Sequence, residues 1–168
     1  MEMTKMKNKQ KVANVATAAI IAALYVVLTY LASALGLSSG VIQVRFSEAL
    51  TILPVFTPAA IPGLFAGCVL ANLLTGCAVW DIVFGSIATL LGAIFTYVLR
   101  NHKLTAVLPP IIANTLIVPP VLMLVYGVDE AYWFLCLTVC IGEIISCGIL
   151  GTFLRKSLEK GGITRFFK

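Results

Sequence analysis

Long stretches of this chain carry no charge at all, among them Val12 to Leu35, Ile82 to Leu99 and Leu104 to Val128. Each is near or above the ~18–20 apolar residues that carry a helix across a bilayer. A water-soluble core has no use for three such blocks. Composition agrees, because 60% of the 168 residues are hydrophobic and only 11% are charged, too few to cover a soluble surface. The chain therefore reads as an all-α, multi-pass protein of the cell membrane. The first block is too long for the apolar region of a signal peptide and lacks a clear exit site, so the lysine-rich start reads as a cytosolic leader.

Apolar patterning places spans at about 12–35, 45–58, 62–77, 81–99, 104–126 and 131–154, with one long bent span over 46–76 as the alternative to the middle pair. Charge separates five spans from six. With six, Lys5, Lys7, Lys9, Lys11, Arg100, Lys103, Arg155, Lys156, Lys160, Arg165 and Lys168 share the cytoplasmic side, and only Arg45 lies outside. With five, the Arg100–Lys103 turn and the basic tail would lie opposite the leader. The positive-inside bias favours six. The expected fold is a compact bundle of six transmembrane helices with both termini cytoplasmic. It comprises a basic leader (1–11), a transmembrane substrate-binding domain (12–154) and a basic tail (155–168). The net charge of +5 follows from this asymmetry and from anionic headgroups, and gives no reason to invoke nucleic acid.

Polar groups inside the spans are costly and need a purpose. Arg45 and Glu48 stand three residues apart at the outer start of span two, where they can pair. Asn72 lies in the outer half of span three, and Trp80 and Asp81 end the outer loop that leads into span four. Span five holds Asn114 just before Pro119 and Pro120, which would free the carbonyls of Thr115 and Leu116. Pro54 would do the same to Leu50, while Pro58 and Pro62 bracket a tight inner turn. Glu143 sits at the centre of span six. Thus Arg45, Glu48, Asn72, Trp80, Asp81, Asn114 and Glu143 all fall between mid-membrane and the outer surface, with no comparable set in the inner half. That pattern suggests a pocket open to the outside for a small polar ligand with a flat apolar face, covered by an aromatic such as Phe46 or Trp80. Each group also has a structural reading: an interfacial ion pair, a proline kink that shapes the bundle, a protonated Glu143 bridging helices.

Cys136, Cys140, Glu143 and Cys147 share one helical face. It reads as a packing face of small residues rather than a thiolate–carboxylate metal site, and no metal or cofactor is expected. The chain contains no GxxxxGK[ST], HExxH or GxSxG, so no ATPase or hydrolase chemistry is visible and an enzyme is not expected. In span one, Ala18 with Ala22 and Ala19 with Ala23 form small-xxx-small pairs that let another helix approach closely. Within the bundle or against a partner, the spacing is the same.

The run VRFSEALTILPVFTPAAIPGLFAGCVLANLLTG, followed by WDIVFGSIATLLGA, resembles the queuosine-precursor transporter (QueT) family. These are membrane-embedded substrate-binding (S) components of energy-coupling factor transporters, and the resemblance covers roughly residues 8–156. It implies six helices and capture of a 7-deazaguanine, such as queuine or an aminomethyl- or cyano-substituted precursor, from outside. It also implies a transmembrane coupling (T) subunit and two ATPase subunits as partners, with toppling of the S component to release cargo. Ala18, Ala19, Ala22 and Ala23 look like the AxxxA coupling surface of such components. Metal-specific relatives use an N-terminal Met-His pair, and this chain begins MEMTK.

A deazaguanine suits the polar residues. Its N1–H and 2-amino group are parallel donors that Glu143 or Glu48 can accept bidentately. Its O6 needs a donor such as Asn114, Asn72 or Arg45, and a second carboxylate can hold an aminomethyl cation. A biotin- or pyrimidine-like ligand also finds partners, so an S component for another vitamin-like compound stays open, as do a membrane enzyme and a structural subunit.

Overall fold

The computed structural model describes residues 2–38, 42–102 and 105–162, with side chains from residue 6 onward. Lys103, Arg165 and Lys168, and the Lys5 side chain, lie outside the described residues. Every regular element among those described is helical. Helix α1 spans Glu2–Ala34, α2 Ala60–Leu74, α3 Val79–Val98, α4 Leu108–Tyr126, α5 Tyr132–Glu143 and α6 Gly151–Lys160. A π-helical segment, Ile144–Leu150, joins α5 to α6, so Tyr132–Lys160 is one continuous apolar rod. Four helices are long and apolar enough to cross a membrane: Met6–Ala34, Val79–Val98, Thr105–Tyr126 and Tyr132–Lys160. They match four of the expected spans.

The other two differ. The segment expected as a spanning helix over 45–58 is a 10-residue 3-10 helix, Phe46–Val55, about 20 Å long at ~2 Å per residue. Helix α2 has 15 residues, about 22 Å at ~1.5 Å per residue. Neither matches the ~30 Å hydrocarbon core alone. Pro54 explains the first case. A proline inside an α-helix removes a hydrogen bond and clashes with the preceding turn, and here it lies within the 3-10 helix. Residues Ser47 to Pro54 are all buried, so this helix is a central plug wrapped by the longer ones. Pro58 lies in the turn before α2, and Pro62 falls in the first turn of α2.

Close approach is built from small residues. Gly63 and Gly67 of α2 lie against Ala18 and Ala22 of α1; a Cβ on Gly63 would fall 2.7 Å from the Ala18 carbonyl oxygen. Gly92 of α3 meets Pro110 of α4 at 2.8 Å in the same sense. The apolar core forms where Ile21, Tyr25, Leu50, Leu53, Leu64, Cys68 and Ala93 pack together.

Candidate functional site

The plug carries Glu48 into the centre of the bundle, 2% exposed. Its Oε1 accepts a short hydrogen bond from the Tyr25 hydroxyl of α1, and its Oε2 has no hydrogen-bond partner. Glu143, at the end of α5 and 8% exposed, stands beside it. The Cys147 thiol, one turn on, donates to Glu143 Oε2 at 3.1 Å and receives the Thr51 hydroxyl at 3.4 Å. One ligand atom each from Glu48, Glu143 and Cys147 lies within 4.8 Å of the others, the one group among the described residues spaced to hold an ion. The Arg45 charge and the Asn114 amide act on both carboxylates. Sequence separations of almost a hundred residues are closed here by packing alone.

Arg45 is fixed by two contacts. Its backbone N–H donates to Ser146 Oγ at 3.1 Å, within the π-helical segment. Just before it, the backbone of Gln43 lies on Gly142 so closely that a Cβ there would fall 2.1 Å from the Gln43 carbonyl oxygen. Only glycine fits, and the loop can then hand Arg45 to the bundle's interior.

Above this cluster opens a chamber of about 430 Å³, lined by Thr29, Ser33, Arg45, Asn72, Asp81 and Tyr126 among others. That volume suits a small heterocycle. Asp81 Oδ2 accepts the Tyr126 hydroxyl at 3.0 Å, and Tyr126 in turn accepts the Ala78 N–H at 3.1 Å. This chain ties the start of α3 to the end of α4 at the chamber wall. Asn72 donates to Cys68 Sγ at 3.6 Å. Thr29, one turn from Tyr25, donates to Ser47 Oγ at 2.9 Å and connects the chamber to the cluster.

Six of the seven residues singled out in the sequence therefore fall into two adjoining groups: Arg45, Asn72 and Asp81 on the chamber, and Glu48, Asn114 and Glu143 beside it, with Arg45 common to both. Trp80 does not join them. It is 59% exposed, stacks on Phe84 and lines a separate apolar groove with Ile117, Pro120 and Leu124. The four alanines also divide. Ala22 is buried and Ala18 half-buried against α2, whereas Ala19 and Ala23 are exposed. Beside them a groove of about 570 Å³ runs along Ala18, Ala19, Ala22, Pro58, Pro62 and Ala66.

Residues 15–160 match the family model described as QueT transporter. The chain belongs to this family. It is 38% identical over 82 residues to the "Queuosine precursor transporter QueT" of Lactococcus lactis subsp. cremoris (strain MG1363), an alignment covering 49% of this chain and 48% of that protein. The match thus spans about half the length of the curated relative. No solved structure matches. With four long apolar helices, this QueT-family chain is a multi-pass membrane protein of a transporter family, not an enzyme family.

Sequence reasoning passed over Tyr25, Thr51 and Tyr126. Tyr25 had a visible signal: a hydroxyl in the middle of an aliphatic span needs a partner. Cys147 was visible on the Glu143 face; Cys136 and Cys140, on the same face, are not part of the cluster.

Proposed function

We propose that this QueT-family chain is the substrate-binding (S) component of an energy-coupling factor transporter, capturing a 7-deazaguanine from outside the cell. A T subunit and two ATPase subunits then drive uptake. The observation that carries the reading is the pairing of a heterocycle-sized chamber, whose wall mixes apolar side chains with Arg45, Asn72 and Asp81, with the buried Glu48, Asn114 and Glu143 in an otherwise apolar bundle. A chamber of this kind recognises a flat ligand by its hydrogen-bonding edge. One carboxylate accepts the N1–H and 2-amino donors, Arg45 or Asn114 donates to O6, and Asn72 and Asp81 hold the ring's periphery. The name of the Lactococcus relative supports the ligand class.

Six crossings with cytoplasmic termini remain the topology that the basic residues favour. The short plug and α2 then form the second and third crossings within the shell of longer helices. The exposed Ala19–Ala23 face beside its groove is the docking surface for the T subunit, because close helix approach requires small side chains. Thermal unfolding of the detergent-purified chain tests the ligand class. Queuine and its aminomethyl and cyano precursors should raise the midpoint, while biotin and pyrimidine vitamins should not. Stabilisation by biotin alone would redirect the site to another vitamin-like ligand.

A further inference from the structure

Helix α1 packs on α2 and on the plug, and its two sides differ. Ala22 and Tyr25 are buried, while Ala19, Ala23 and Val27 are exposed. The buried side rests on glycine: a Cβ on Gly67 of α2 would fall 2.7 Å from Tyr25 Cβ and 3.0 Å from Ala22 Cα. Glycine offers α1 no side chain to interlock with at that point. What ties α1 to the plug is a pair of hydroxyls one turn apart. Tyr25 donates to Glu48 Oε1, and Thr29 donates to Ser47 Oγ at 2.9 Å. Both acceptors lie in the first turn of the plug, directly after Arg45. One helix thus carries an exposed small-residue face on one side and the donor to a buried carboxylate on the other.

We propose that Tyr25 is a positioning residue that couples the exposed Ala19–Ala23 face to the ligand site: it fixes Glu48 while α1 is seated, and frees it when a partner docked on that face shifts α1. This rests on the S-component reading above and goes beyond it, because it names a route from the docking surface to the cargo. With ~3.6 residues per turn, positions 23 and 25 stand about 200° apart around the helix. A partner pressing on one side therefore moves the phenol on the other as part of one rigid body. Hydrogen bonds hold over a narrow range of distance and angle, so a displacement of roughly 1 Å breaks this one. Glu48 Oε2 has no partner. Once Tyr25 leaves Oε1, the carboxylate lacks the donor that α1 supplied, and an undersatisfied buried carboxylate turns toward another donor. Arg45 and Asn114, which already act on it, are the donors at hand, and both belong to the ligand site. Turning to them withdraws Glu48 and its neighbours from the cargo together. By linkage, a ligand that needs Glu48 in place opposes the shift of α1 to the same degree.

The test is titration of queuine into the detergent-purified chain alone and into the complete transporter, assembled with its T and ATPase subunits and free of nucleotide. Coupling between two sites typically amounts to ~5–150-fold, so the unaltered chain should bind at least about fivefold more weakly when assembled. Tyr25→Phe keeps the ring that packs on Gly67 and removes only the donor. It should weaken binding to the free chain and bring the free and assembled values within about twofold, below the range of ordinary coupling. Glu48→Gln, which weakens the same bond from its other end, should narrow the difference as well, and reads the coupling even if Tyr25→Phe does not fold. Tyr30→Phe removes a hydroxyl from the same helix, one bonded to the Leu74 carbonyl, and should leave the difference intact. Equal affinity of the unaltered chain alone and assembled overturns the proposal. So does a difference that survives both Tyr25→Phe and Glu48→Gln, or one that Tyr30→Phe removes equally. Failure of the folded, unaltered chain to bind queuine, or to assemble at all, would instead remove the reading on which the coupling rests.

Discussion

Glu143 and Glu48 are one pair with unequal surroundings, and the inequality sets what each substitution does. Glu143 gives one oxygen to the weak Cys147 donor, so both of its oxygens remain serviceable to a planar donor edge. Glu143→Gln keeps the side-chain volume, so no cavity opens. It presents an N–H₂ where the N1–H and 2-amino donors need an acceptor. A hydrogen bond to a charged group contributes about 1.5–3 kcal/mol, and ~1.4 kcal/mol is tenfold in affinity. Glu143→Gln should therefore weaken every deazaguanine, amine and nitrile alike, by roughly ten- to a hundredfold or somewhat more, read by titration on both proteins. Unchanged affinity would make Glu143 a protonated bridge between helices and leave Glu48 or Asp81 as the edge acceptor. Gly142, its neighbour, has a different role. A methyl group there meets the Gln43 carbonyl oxygen at 2.1 Å and must push the loop that holds Arg45 off α5. Overpacking of this kind costs about 1–3 kcal/mol. Gly142→Ala should lower the unfolding midpoint and weaken ligand binding together, and a variant with normal binding would mean that Arg45 does not depend on this contact.

At the scale of elements, α1 carries two small-residue faces with different fates. Ala18 and Ala22 are spent inside the bundle on Gly63 and Gly67; Ala19 and Ala23 are exposed. The sequence could not separate them, because alanines one position apart share one helical spacing and only the position of α2 assigns them. Ala19→Leu and Ala23→Leu should leave ligand affinity within about twofold of the unaltered chain, well under the tenfold that ~1.4 kcal/mol brings, yet abolish uptake when the transporter is assembled. Ala18→Leu should instead lower the unfolding midpoint. Normal uptake by both exposed-face variants would place the docking surface elsewhere. The four long helices were legible because an unbroken apolar run has one common solution in lipid. Glu48, Asn114 and Glu143 were legible as costly groups within such runs. The plug was not. Residues 46–55 are as apolar as a span, and their 3-10 path comes from Pro54 and from burial on every side, neither of which periodicity reports. Trp80 was assigned to the pocket by its depth and its aromatic ring, yet a helix at one depth presents several faces, and packing turned this one to the apolar groove.

For the whole molecule, the distribution of charge makes the orientation testable. Of the seven acidic residues, Glu48, Asp81, Asp129, Glu130 and Glu143 belong to the plug, the chamber end, the segment before the last rod or the middle of that rod, while Glu2 and Glu159 accompany the basic termini. The Arg100–His102 turn follows α3, whose opposite end, at Asp81, lines the chamber. A long apolar helix thus separates the turn from the chamber, and the same holds for α4 read in the other direction. If the chamber faces outside, as capture of an external ligand requires, the turn must face the cytoplasm. The basic side chains at the termini favour the same side. We expect a single cysteine introduced at position 102, in a chain whose five native cysteines are replaced by serine or alanine, to resist a membrane-impermeant maleimide in intact cells and to react after permeabilisation. A cysteine at position 130 should behave in the opposite way. Labelling of position 102 from outside, with position 130 protected, would invert the bundle and turn the chamber toward the cytoplasm, where it could release a ligand but not capture one.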